Sequence, residues 1–279
     1  MLSDTHISAA GTSDGTWNNT TRRSVSSQLL RAALDEIARA GHRHVLALGD
    51  ISDDGSPEMM GAALSAIADA GLEAWIVPGN HDTAQYSRAL EVAAEQVSGC
   101  VVLHHQPLRL SDSFTLTGTA LRSRDGGQTC EATCLAEAAA ITSRVLLWAG
   151  HYPLISQEAT LLSAGLRYPG DLINLQQARD AAERHSGPIV VLHGHLHTAV
   201  TAQNRKMLQL GFPAIVEWPH AWTDLRIETS PSGTTVRTSI RSVAGDWSQC
   251  ARNTLLASTE QAWQLDSENW RATSTSDPW

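Results

Sequence analysis

Residues 45–53 read Val45-Leu46-Ala47-Leu48-Gly49-Asp50-Ile51-Ser52-Asp53: an apolar run, a glycine, then two carboxylates three residues apart. An uninterrupted apolar run of this length fits a strand buried on both faces. Glycine at its end permits a tight turn and close backbone approach. The unit recurs along the chain. Trp75-Ile76-Val77 leads into Gly79-Asn80-His81-Asp82, and Val145-Leu146-Leu147-Trp148 leads into Gly150-His151-Tyr152-Pro153. Ile189-Val190-Val191-Leu192 leads into Gly194-His195-Leu196-His197, and Ser3-Asp4-Thr5-His6 opens the series. Helical patterns separate these units. Leu30, Ala33, Leu34 and Ile37 stand at i, i+3, i+4 and i+7 within 26–40, and Met60, Ala63, Leu64 and Ile67 repeat the stripe behind a Ser56-Pro57 start signal. Alternating strands and helices predict an α/β domain whose polar segments converge beyond the carboxyl ends of the strands.

After about Leu208 the texture becomes β-rich. Ala214-Ile215-Val216, 224–228 and 234–240 read as strands, with Pro231-Ser232-Gly233 as a turn, and are expected to continue the sheet antiparallel. The reading therefore places one domain over 1–243. A segment over 244–279 follows, carrying Trp247, Trp263, Trp270 and Trp279 as a packing segment or a tail.

Composition narrows the function. The 279 residues are 42% hydrophobic and 18% charged, ordinary for a globular chain, and the formal net charge of −9 argues against binding a nucleic acid polyanion. No apolar run approaches membrane-spanning length, and no signal-peptide pattern precedes the first motif. Four cysteines (Cys100, Cys130, Cys134, Cys250) form no CxxC pair and are expected to be free thiols, which points to a cytoplasmic setting.

Asp, His and Asn side chains suit Zn, Mn and Fe. Asp4 and His6 are two apart, so on an extended segment both face one side, and His195 and His197 share that spacing. The Asp50 carboxylate has two oxygens and can bridge two cations. Two divalent ions held together are standard machinery for attack on a phosphate ester.

Taken in order, the motifs D-x-H, GDxxD, GNHD, H with a nearby Pro, and GHxH resemble the calcineurin-like metallophosphoesterase superfamily over residues 4–197, with every ligand position filled. Within it, the compact chain is similar to the bacterial cyclic-nucleotide phosphodiesterase branch. The resemblance implies a four-layer αββα double β-sandwich. It implies two divalent ions (Mn, Fe or Zn), the first held by Asp4, His6, Asp50 and His197. Asp50 bridges to the second, which Asn80, His151 and His195 complete. His81 becomes the general acid or electrostatic partner of the leaving group, Asp53 orients it, and Asp82 supports the ligands from behind. The implied activity is hydrolysis of a small phosphodiester or phosphomonoester by a hydroxide bridging the metals. A non-catalytic scaffold of the same fold, or a nuclease, are the alternatives. A purple acid phosphatase would carry Tyr where this chain has Asp53.

Several assignments stay open at this level. His104, in Val101-Val102-Leu103-His104-His105-Gln106-Pro107, competes with His151 for the second metal, but lies only 24 residues after Asn80 and leaves little room for the intervening elements. His220, between Trp218 and Trp222, is a candidate for the cleft, and Arg22, Arg23, Arg122, Arg124 and Arg205 are candidates for phosphate contact. Only Met1, Leu2 and Ser3 precede Asp4, so the first strand is expected to be short.

Overall fold

A computed structural model describes residues 1–83, 88–230, 233–247, 253–266 and 269–273. Residues 231–232 of the expected turn, Cys250 and Trp279 lie outside the described residues. Six helices are described: α1 (Ser26–Arg39), α2 (Pro57–Asp69), α3 (Ala89–Glu95), α4 (Ala132–Ala139), α5 (Glu158–Ser163) and α6 (Leu175–Glu183). The Ser56 hydroxyl caps α2 by accepting from the Met59 N–H, as its place before Pro57 predicts.

Strand His44–Leu48 pairs parallel with Glu73–Val77, which pairs with Cys100–Val102. On its other side the opening segment lies alongside, with Leu2 and Ile7 bridging in parallel to Ala47 and Ser52. Met1 then exchanges backbone hydrogen bonds with Thr223, at the start of strand Ala221–Ser230. That strand begins the antiparallel run with Gly233–Ser242, Glu260–Asp266 and Asn269–Thr273. A second sheet has Val145–Gly150 at its centre, parallel to both Phe114–Gly118 and Ile189–His193. Met207–Gly211 extends it in parallel, and Val200–Asn204 lies antiparallel at its edge.

Period-two alternation sorts the strand residues into layers. Val45 and Ala47 pack on the apolar stripes of α1 and α2, whereas Leu46 and Leu48 face the other sheet. There they meet Leu147, Ala149, Val190, Leu192, Leu208 and Leu210. Leu146, Trp148, Ile189 and Val191 point outward, onto Cys134 and Ala138 of α4 and Ala178, Ala181 and Ala182 of α6. The result is the expected helix–sheet–sheet–helix stack.

One strand expectation is corrected. Ala214-Ile215-Val216 is a buried loop, not a strand. Its apolar character reports burial against the first segment, where the Ile215 and Val216 N–H groups donate to the Ser3 and Asp4 carbonyls. Cys100, Cys130 and Cys134 are free thiols. Among the described residues no helix is long and apolar enough to cross a membrane.

The last two strands close the middle layer with indole rings: Trp263 and Trp270 are buried beside Val236, Leu208 and Leu210. Trp263→Ala is expected to cost about 3–5 kcal/mol, as for other large-to-small core changes, read as a lower urea midpoint without loss of secondary structure.

Candidate metal centre

Three of the five segments turn through left-handed backbone at their candidate ligands. Asp4, His6, Asp50, His195 and His197 have φ of 51°, 42°, 51°, 66° and 55°, a region that ordinary side chains rarely occupy. Such backbone costs on the order of 1–3 kcal/mol per residue and persists only where its surroundings fix it. Here the fixing bonds are visible. Asp4 and His6 N–H groups donate to the Gly49 and Asp50 carbonyls, and Asp82 accepts from the N–H groups of Ile51, Ser52 and Gly79 at 3.1, 3.0 and 2.9 Å. Gly79 is required for contact, because a Cβ there would collide with Asp50. Gly194 is likewise pressed on Ser3 and Asp4.

The side chains then converge. Asp50 Oδ2 lies 3.7 Å from His6 Nε2 and 3.2 Å from His151 Nε2. His197 Nε2 lies 3.4 Å from Asp4 Oδ1, and His151 Nε2 lies 3.1 Å from Asn80 Oδ1 and 3.2 Å from His195 Nδ1. The structure thus brings together Asp4, His6, Asp50, Asn80, His151, His195 and His197. Three overlapping groups place possible ligand atoms within 4.8 Å of one another: Asp4, His6 and His197; His6, Asp50 and His81; and Asp4, Asp50 and His151. His104 lies elsewhere, with Nε2 3.1 Å from Glu91 Oε1. His220 is buried with Nδ1 donating to the Ile215 carbonyl and is not among the cleft-lining residues.

The outer partners set the ring orientations. His151 Nδ1 donates to the Leu48 carbonyl at 2.8 Å and His197 Nδ1 to Glu217 Oε2 at 2.8 Å, so both present Nε2 to the cluster. Asp53 serves two rings: its carboxylate lies 3.2 Å from His6 Nδ1, and its backbone carbonyl accepts from His81 Nδ1 at 2.6 Å. Glu217 was not singled out in the sequence. A carboxylate set in the apolar run 214–219 is itself a signal, since buried charge requires a partner.

Charge follows from this packing. Burial alone would raise the Asp4 carboxyl, but His197 and His151 beside it bring it to about 2. Asp50 is likewise held well below the ordinary carboxylate range, with burial outweighed by His151. The reciprocal effect lifts His151 to about 9 and His197 to about 10 against the cost of burying their charge. His195, desolvated and facing charged His151, falls to about 3 and is neutral. In a chelator-treated sample, the raised histidines contribute stability that is complete below their ordinary value of 6.5. It is lost as pH climbs through about 9 to 10.

His6, Asp50, Asn80, His195 and His197 line a cleft of about 650 Å³, whose wall includes Trp17, Arg23, Ser123, Gln128, Tyr152 and Asp171. Against this geometry, a model of the family described as calcineurin-like phosphoesterase matches residues 1–199. The chain belongs to the calcineurin-like phosphoesterase family. Among solved structures, TT1561 of Thermus thermophilus is similar over 78% of this chain and 93% of its own, at 11% identity and a TM-score of 0.50. Purple acid phosphatase PPD1 from yellow lupin (Lupinus luteus) seeds is similar over 95% of this chain and 53% of its own, at 11% identity and a TM-score of 0.52. At that identity the likeness is one of fold. No curated protein matches the chain.

Divalent metals of the calcineurin-like phosphoesterases fit this cluster on its own chemistry. Asp4 Oδ1, His6 Nε2 and His195 Nε2 are buried without a hydrogen-bond partner, which is uncommon unless an ion or water satisfies them. His151→Ala is expected to lower bound Mn per chain, and His104→Ala to leave it unchanged, by atomic absorption. Because Asp4 and Asp50 beside them raise His151 and His197, Mn uptake is expected to release protons. Affinity should then rise with pH toward 9. Calorimetry in buffers of differing ionisation enthalpy reads both.

Proposed function

We propose that the chain is a two-metal phosphoesterase acting on a small phosphodiester or phosphomonoester. The observation that carries this reading is the position of Asp50 Oδ2, flanked by His6 on one side and His151 on the other. A single carboxylate between two sets of nitrogen ligands is the arrangement expected of a bridge. Asp4, His6, Asp50 and His197 would hold one divalent ion. Asp50, Asn80, His151 and His195 would hold the other, with Mn, Fe and Zn all compatible with these donors. When bound, such ions supply a nucleophile from water at neutral pH and offset charge on the phosphoryl oxygens.

The remaining work falls to this chain's own groups. His81 is the least buried imidazole of the cluster, 35% exposed at its side chain and lining the cleft. Its Nδ1 is committed to the Asp53 carbonyl, so Nε2 is the atom left to pass a proton to a departing alkoxide. Its own N–H donates to Asp50 Oδ1 at 2.9 Å, tying the acid to the bridge. Asp53 positions both His81 and His6, and Asp82 holds the two loops in register without entering the cleft.

A scaffold without activity would not need every ligand position filled. Asp50→Ala is expected to lose metal and turnover of bis-p-nitrophenyl phosphate together. His81→Ala should retain metal while kcat falls about 10²–10⁴-fold, the usual range for a lost general acid. Full turnover in His81→Ala would refute its role, and wild-type protein with neither metal nor hydrolysis would refute the reading.

A further inference from the structure

The fold separates the five arginines that the sequence offers for phosphate contact. Arg22 lies 3.3 Å from Asp14, Arg122 3.1 Å from Glu131, and Arg124 3.4 Å from Asp125. Arg205 lines a different cavity, with Arg179, Glu183 and Lys206. Arg23 borders the cleft above the ligand cluster, and it is the only Arg or Lys among the described residues that line it.

Its setting is specific. Arg23 Nε lies 3.3 Å from Asp53 Oδ1, the same oxygen that is 3.2 Å from His6 Nδ1 and 3.9 Å from His81 Nδ1. One carboxylate oxygen therefore gathers the guanidinium, a ligand imidazole and the proposed acid. The closest approach of this ion pair is through Nε, on a side chain 35% exposed at the cleft, so the guanidinium stands within reach of a group that enters it. Gly15 passes close by, where an added Cβ would crowd Thr21 Oγ1 and touch Arg23 Cζ at an ordinary 3.5 Å.

We propose that Arg23 is a substrate-binding residue, gripping a non-bridging oxygen of a single phosphoryl group seated over the ligand cluster. A guanidinium presents paired N–H donors that match two phosphate oxygens, and one already anchored through Nε loses little freedom on binding. The rest of the lining sets the substrate class. Away from the cluster it offers Trp17, Ser123 and Gln128, which are uncharged, and Asp171, which is acidic. Arg23 is the one cationic side chain among the described residues that line the cleft, and the nearby Arg167 is engaged over the Trp17 ring, a provision that matches a single phosphoryl group rather than a polyphosphate tail. This inference rests on the phosphoesterase reading.

The test uses the Mn-loaded full chain with Arg23→Ala and Arg23→Lys. Inorganic phosphate binding is titrated by calorimetry, Mn content is measured by atomic absorption, and KM and kcat are taken for bis-p-nitrophenyl phosphate. Arg23→Ala is expected to weaken phosphate about tenfold or more, from the loss of a charge-assisted hydrogen bond. KM should rise and Mn content stay at the wild-type level, with Arg23→Lys recovering part of the affinity. Phosphate affinity within about twofold of wild type in Arg23→Ala, too small a change for a lost charge-assisted bond, would overturn the assignment. So would a parallel fall in Mn content that Arg23→Lys leaves uncorrected, which would make Arg23 a support for Asp53 and His6. Wild-type protein that binds phosphate through Arg23 but hydrolyses no ester would sink the phosphoesterase reading and leave this one standing.

Discussion

Two carboxylates with almost no contact with water, Asp4 and Asp50, impose the order of everything around them. Ionised, they are tolerable only if positive charge sits within a few ångströms, because desolvation of a lone carboxylate costs far more than a domain's margin of stability. The histidines supply that charge in exchange for their own burial, which is why His151 and His197 rise while Asp4 and Asp50 fall. A divalent cation answers the same need more fully, with charge and coordination together. The cluster is therefore electrostatically coherent both with protons and with metal, and the competition between them links ligand binding to pH.

Much of the architecture was legible in the residues. The runs 45–48, 145–148 and 189–192 are strands because each is too short and too uniformly apolar for anything but a buried ladder position. The helical stripes at 30–37 and 60–67 fell where spacing put them. The meeting of the candidate ligand residues was legible for a different reason, since glycine beside Asp50, Asn80, His151 and His195 marked where backbone had to come close. What remained hidden depended on contacts between distant segments. Residues 214–216 carry strand-like composition, but their hydrogen bonds go to the first segment, and composition records burial rather than pairing. Glu217 had no spacing relation to His197, so only the three-dimensional meeting revealed it. Asp53 likewise showed two faces, a carboxylate for His6 and a carbonyl for His81, that a motif letter cannot distinguish.

The spread of the fold over distant segments also explains the site's precision. Asp82, buried behind the ligands, accepts from three backbone N–H groups on two loops. It keeps those loops in register while remaining remote from anything that enters the cleft. Its pKa is pushed upward by burial and by Asp50 even as those donors oppose the shift, so it holds this post against an electrostatic gradient.

The cleft is built from two kinds of material. Its floor comes from residues at the ends of core strands and of the opening segment, several of them in left-handed backbone held by neighbouring segments. Much of its wall comes from the two-stranded hairpins around 15–21 and 121–130 and the segment 169–171, which stand outside the two main sheets. The floor therefore resists change, since altering one ligand disturbs several strands at once, whereas the wall can exchange residues at small cost to the fold. A lineage built on this plan is free to retune what it recognises while inheriting its chemistry intact.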